Sequence, residues 1–197
     1  GYNIWCGAVY IGQNAQGEHW VLTAAHCVAS SDFNETTFRL GFGGLDLSNY
    51  NSSNTVGIDY AVYHSGYNAS SVANDIGAIK LVAAPSASPV TLATTSSDAS
   101  AGEEVIISGY GANWAWWFFR DYPGYLLEAD TFVLSTSACQ STWSNVTSNH
   151  ICVRDSAGGQ GACNGDSGGP MFRSNGTVVG LTSFGNSSCS TGSPQVY

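Results

Sequence analysis

His26, Asp75 and Ser167 are the residues of this chain whose types and settings could together make an oxygen nucleophile. A serine hydroxyl is weak at neutral pH and must pass its proton to a base within hydrogen-bond reach. An imidazole suits that task because its proton affinity lies near the working pH. A buried carboxylate can then fix the ring tautomer and stabilise the imidazolium that forms. Each candidate has a distinctive setting: Leu22-Thr-Ala-Ala-His26-Cys27, Asn74-Asp75-Ile-Gly-Ala-Ile-Lys-Leu81 and Gly165-Asp-Ser167-Gly-Gly-Pro170. His19, His64 and His150 lack a comparable partner and read as surface or structural. Glu18-His19 does not open an H-E-x-x-H helix, and Asp32, Glu35 and Asp46 are too sparse for a calcium loop. No metal site is expected.

Chain order separates the ways of assembling such a trio. Gly165 to Gly169 also fits the G-x-S-x-G turn of α/β-hydrolases, but those enzymes place the histidine after the serine. No histidine follows Ser167. The subtilisin order needs an aspartate ahead of the histidine, whereas Glu18 is the only acid before His26. The order His, Asp, Ser remains.

The elements that must position these groups are short and strand-like. Apolar or β-branched runs recur at Ile4–Ile11, His19–Leu22, Thr37–Leu40, Ile58–Tyr63, Ile76–Val82, Val105–Ile107, Leu126–Leu134, Ile151–Val153 and Val178–Phe184. Short strands between Gly, Asn and Ser clusters predict a sandwich or barrel. Ser135–Trp143 predicts one short helix capped by Ser135 or Ser137. Residues 83–102, rich in Ala, Ser, Thr, Pro and Gly, read as a linker between halves spanning 1–82 and 103–197.

Composition narrows the partners. Fourteen acidic residues against five basic ones give a net charge of −9. So few cations cannot neutralise a phosphate backbone, and anionic membrane surfaces are disfavoured for the same reason. The longest unbroken aromatic or aliphatic run, Trp114 to Phe119, is far too short to span a bilayer. Six cysteines without a C-x-x-C pair argue for disulfides rather than zinc. N-x-S/T triplets begin at Asn34, Asn51, Asn68, Asn145, Asn175 and Asn186, which agrees with a secreted glycoprotein. Gly1-Tyr2-Asn3 has no signal-peptide character, so the targeting segment is expected to lie outside this sequence.

Taken together, LTAAHC, NDIGAIKL and GDSGGP resemble the three signature segments of the trypsin/chymotrypsin family of serine proteases. Asn149 to Arg154 and Gly161 to Asp166 are most similar to arthropod digestive chymotrypsin-like and collagenolytic enzymes. The resemblance implies an all-β fold of two six-stranded antiparallel β-barrels with the active site in the cleft between them. It implies one peptidase domain over 1–197, partial at both termini, without a cofactor and acting as a monomer. Its partners would be protein or peptide substrates and proteinaceous inhibitors. His26 would be the general base and acid, Asp75 its orienter and Ser167 the nucleophile. The N–H groups of Gly165 and Ser167 would form the oxyanion hole. Ser183-Phe184-Gly185 would pair with substrate backbone, Ser183 lying beside the Asp75 carboxylate. The implied disulfides are Cys6–Cys27, Cys139–Cys152 and Cys163–Cys189. The alternative is a non-catalytic homologue serving as a binding or regulatory module, but such homologues usually lose a triad residue and this chain keeps all three.

The resemblance also frames specificity. Relatives that cut after Lys or Arg carry an acid six positions before the nucleophile, where this chain has Gly161. Gln195 stands where open-pocketed relatives have glycine. A neutral pocket cannot compensate a buried cation, so apolar or aromatic P1 side chains are expected, with Gln195 shifting preference toward smaller or polar ones. Asn113 to Tyr122 holds three Trp and two Phe and follows Ser108-Gly-Tyr-Gly111, which resembles the family's SGWG strand. It should form a loop near the cleft with most rings turned inward. Relatives begin upstream of the Gly1 equivalent with an Ile-Val-Gly-Gly-like segment, whose amine pairs with the aspartate matching Asp166. They also continue past Val196-Tyr197, so the sequence reads as a stretch of a longer zymogen.

Overall fold

The computed structural model describes residues 3–94, 99–116, 119–155, 159–187, 189 and 192–197. The first half contains β1 (Val9–Gln13), β2 (His19–Thr23), the single turn α1 (Ala25–Val28), β3 (Arg39–Gly41), β4 (Thr55–Tyr63) and β5 (Gly77–Leu81). The second contains β6 (Glu104–Gly109), β7 (Trp114–Trp116), β8 (Phe119–Asp121), β9 (Leu127–Leu134) and α2 (Thr136–Gln140). It ends with β10 (Cys152–Arg154), β11 (Pro170–Phe172), β12 (Val178–Leu181) and β13 (Gln195–Val196).

The strands form a five-stranded sheet in the order β1-β2-β5-β4-β3 and a six-stranded sheet in the order β12-β11-β6-β9-β10-β13. Named strands pair antiparallel throughout. The all-β fold of two antiparallel half-barrels is as expected. The first half shows five strands among the described residues where six were expected.

Along β5, the end of β2, the start of β6 and the end of β9 every second side chain is buried. Val21 of β2 and Ile79 and Leu81 of β5 meet Tyr10 and Ile58 in one core. Val105, Ile107, Val133, Val153 and Met171 build the other. These two cores fall on either side of residues 83–102.

Several elements depart from the sequence expectation. Ile4–Ala8 does not extend β1, because this stretch runs against the second half, with Gly7 N donating to Ser167 O at 2.7 Å. The hairpin β7–β8 was expected as loop, and its side chains 114–120, including the rings expected to turn inward, lie outside the described residues. The helix expected over 135–143 narrows to Thr136–Gln140, and Ser135 caps it by accepting from Ala138 N. Among the described residues no helix is long and apolar enough to cross a membrane.

Candidate active site

α1 delivers His26 at the end of β2. Ala24 and Ala25 are fully buried, so this turn presses flat on the first core and leaves the His26 ring at its rim. Asp75 lies two residues ahead of β5, the strand hydrogen-bonded to β2, so sheet pairing brings the two together across 49 residues. The carboxylate is held from three directions. His26 N donates to Oδ1 at 2.8 Å, His26 Nδ1 lies 2.8 Å from Oδ2, and Ser183 Oγ donates to Oδ2 at 2.6 Å. The Asp75 side chain is 3% exposed and that of His26 is 32% exposed. A carboxylate that accepts at Nδ1 places the ring proton there and leaves the Nε2 lone pair free to accept.

Burial pushes the Asp75 carboxyl upward, but the bonds from the His26 ring, Ser183 and His26 N outweigh it and hold the group below its usual range. A depressed carboxyl contributes stability that is present above its unfolded value and is lost as pH falls through the folded value. Thermal melts from pH 6 to pH 2 should therefore show wild type losing more stability with acid than Asp75→Asn does. Parallel curves would mean that the charge of Asp75 contributes nothing to the fold.

Ser167 lies in a tight turn ahead of β11. Asp166 N bonds Cys163 O at 3.0 Å and Gly169 N bonds Asp166 O at 2.8 Å. Gly165 and Gly168 adopt φ of 99° and 75°, which glycine reaches without strain. A Cβ on Gly168 would stand 2.2 Å from Thr23 Oγ1, so only glycine lets this turn reach β2. The Ser167 carbonyl consequently bonds Gly7 N and lies 3.7 Å from Cys27 Sγ, beside the residue that follows His26. Ser167 Oγ forms no hydrogen bond with His26 here, and such catalytic contacts commonly tighten only when substrate binds. Among the described residues, the N–H groups of Gly165 and Ser167 have no hydrogen-bond partner.

Residues 1–197 match the protein family described as Trypsin. The chain belongs to the trypsin family. It is 35% identical over 195 residues to Trypsin I-P1 of Gallus gallus, covering 97% of this chain and 75% of that protein. It is 33% identical to a chymotrypsin-like serine proteinase of Haliotis rufescens, covering 89% of this chain and 70% of that protein. Brachyurin of Leptuca pugilator is 32% identical over 193 residues, covering 95% and 81%. As a member of the trypsin family the protein is a serine-type endopeptidase.

Three disulfides brace this trypsin-family site: Cys6–Cys27, Cys139–Cys152 and Cys163–Cys189. The first fixes the residue after His26, and the third ties the Ser167 turn to the segment beyond Gly185. Chain entropy makes each loop closure worth about 3 kcal/mol.

Gln195, 6% exposed on β13, fills the space beside Gly161. Its Oε1 accepts from Ala162 N at 2.8 Å and its Nε2 donates to Ala162 O at 3.1 Å. A Cβ on Gly161 would stand 2.0 Å from Nε2, and one on Gly185 would stand 3.5 Å from Cγ. The amide therefore lies across the gap between these two segments. Phe184 packs edge-on against Trp143 at 5.6 Å, and Trp143 Nε1 donates to Pro194 O at 2.7 Å. Sequence reasoning missed Trp143. Its place at the end of the expected helix was visible, but not that it reaches Phe184.

Proposed function

We propose that this protein is a secreted endopeptidase whose His26, Asp75 and Ser167 form a catalytic triad. The observation that carries the reading is the Asp75 carboxylate, which takes hydrogen bonds from both the backbone and the ring of His26. In this mechanism His26 Nε2 takes the Ser167 Oγ proton as the oxygen attacks the scissile carbonyl carbon. The carbonyl π electrons move onto oxygen, and the unpartnered N–H groups of Gly165 and Ser167 stabilise that charge. The imidazolium then protonates the leaving amine as the C–N bond breaks. Water, deprotonated by the same ring, frees the acyl group. Ser183 braces Asp75, while its carbonyl and the backbone of Gly185 face an extended peptide, the backbone of Phe184 between them being paired with Val196. The disulfides and the N-x-S/T triplets support secretion.

We read the P1 pocket as neutral. Gln195 covers Gly161, where an acidic side chain would be needed to receive a cation, so apolar or aromatic residues fit better than Lys or Arg. The reading divides the domain into residues 1–82, a linker 83–102 and residues 103–197. The decisive test is fluorophosphonate labelling followed by peptide mapping. Modification should fall on Ser167 and vanish in Ser167→Ala. An unlabelled wild-type protein would favour the non-catalytic binding module instead.

A further inference from the structure

In an extended segment neighbouring side chains face opposite ways. Gly109 and Gly111 both face the Asp166 carboxylate. A Cβ on Gly109 would lie 1.9 Å from Oδ1, and one on Gly111 would lie 2.3 Å from Oδ2. The carboxylate is wrapped by backbone: Gly111 N donates to Oδ1 at 2.8 Å and Cys163 N to Oδ2 at 2.9 Å. Ala112 N adds a bond to Asn164 O at 2.9 Å. Residues 109–112 are thus the surface on which the Cys163–Ser167 turn rests.

Tyr110, between the two glycines, faces the other way. Its hydroxyl donates to Gly44 O in the first half. Tyr50 Oη lies 3.1 Å from Tyr110 Oη and reaches the same Gly44 O, donating to it at the longer distance of 3.4 Å, and the two rings meet edge to face at 6.3 Å. The same first-half loop grips the chain again beyond the β7–β8 hairpin. Leu47 N donates to Gly124 O at 2.7 Å, and Leu126 N donates to Leu45 O at 2.8 Å, with Asp46 and Tyr125 paired antiparallel between them. Loop 43–50 therefore holds the segment 110–126 at both of its ends.

We propose that Tyr110 is a positioning residue for the Ser167 turn: through Gly109–Ala112 its bond to Gly44 sets the direction of the Gly165 N–H, so a loop of one half controls oxyanion binding in the other. This rests on the reading of Gly165 as an oxyanion donor. Tyr110→Phe keeps the ring and removes only the hydroxyl. Amide exchange at residues 163–167 should quicken about tenfold, while the β6–β9 core keeps its protection. kcat should fall about tenfold with KM unchanged, since a displaced oxyanion donor is felt only in the transition state. Tyr50→Phe, which spares the Tyr110–Gly44 bond, should leave exchange and kcat near wild type. Unchanged exchange at 163–167 in Tyr110→Phe, or faster exchange with unchanged kcat, would overturn the proposal. Failure of the wild-type protein to label with fluorophosphonate would instead remove the triad reading, and the exchange comparison would still decide whether Tyr110 holds the turn.

Discussion

Ser167→Ala is expected to lower kcat for peptide and ester substrates by about a million-fold while leaving the melting temperature near wild type. On the proposed triad reading, the magnitude follows from removing the atom that would bond to the acyl group, in a unit whose members act together. The unchanged fold follows from the turn, because Ser167 bonds through its carbonyl to Gly7 N and alanine keeps that bond. His26→Ala should cost almost as much activity, and the double variant should be no worse than either single one. It should also lower stability slightly, since Asp75 would keep its bonds from His26 N and Ser183 but lose the ring. Activity should also be lost in acid, because a protonated base cannot accept the serine proton. Activity above about 1% in Ser167→Ala would exclude this residue as the nucleophile.

How much of this was legible in the sequence depends on the range of each interaction. The three segments around His26, Asp75 and Ser167 are local patterns, and a linear reading finds them. The helix cap at Ser135 is likewise a local signal, and its side chain accepts from Ala138 N as such caps do. β11 and β13 have three and two residues, too few for alternation to emerge, and β11 opens with proline. α1 has four residues and no side-chain cap, so propensity carries no trace of it. Ile4–Ala8 has the composition of a strand, yet a Cβ on Gly7 would stand 2.6 Å from Gly169 Cα. Close contact between the halves, rather than pairing within one sheet, decides its conformation. Tyr110 sits inside a recognised motif, but its acceptor lies 66 residues away, a separation no spacing rule reaches. The covering of Gly161 by Gln195 is similar. Both positions were singled out as pocket residues, while the amide bonds to Ala162 that hold the side chain in place appear only in three dimensions.

That covering produces the second large effect. The wild-type protein should cleave after Phe, Tyr or Leu at least about a hundredfold faster, in kcat/KM, than after Arg, because a cation seated beside a neutral amide loses its hydration without gaining a counter-charge. Gly161→Asp alone should not confer cleavage after Arg. Its Cβ would meet Gln195 Nε2 at 2.0 Å, so the amide must leave its two bonds to Ala162 before a carboxylate can enter. The expected result is weaker cleavage of every substrate. Gln195→Gly alone should widen the pocket and raise kcat/KM for the largest aromatic side chains, while Arg remains poor. Only the double variant provides both the room and the charge, and it should gain about a hundredfold or more toward Arg. That gain exceeds the sum of the single effects because the two residues compete for one space. The check is a four-variant panel assayed with peptides that differ only at P1. A wild-type preference for Arg, or a complete switch by Gly161→Asp alone, would mean that Gln195 does not occupy the pocket when substrate binds.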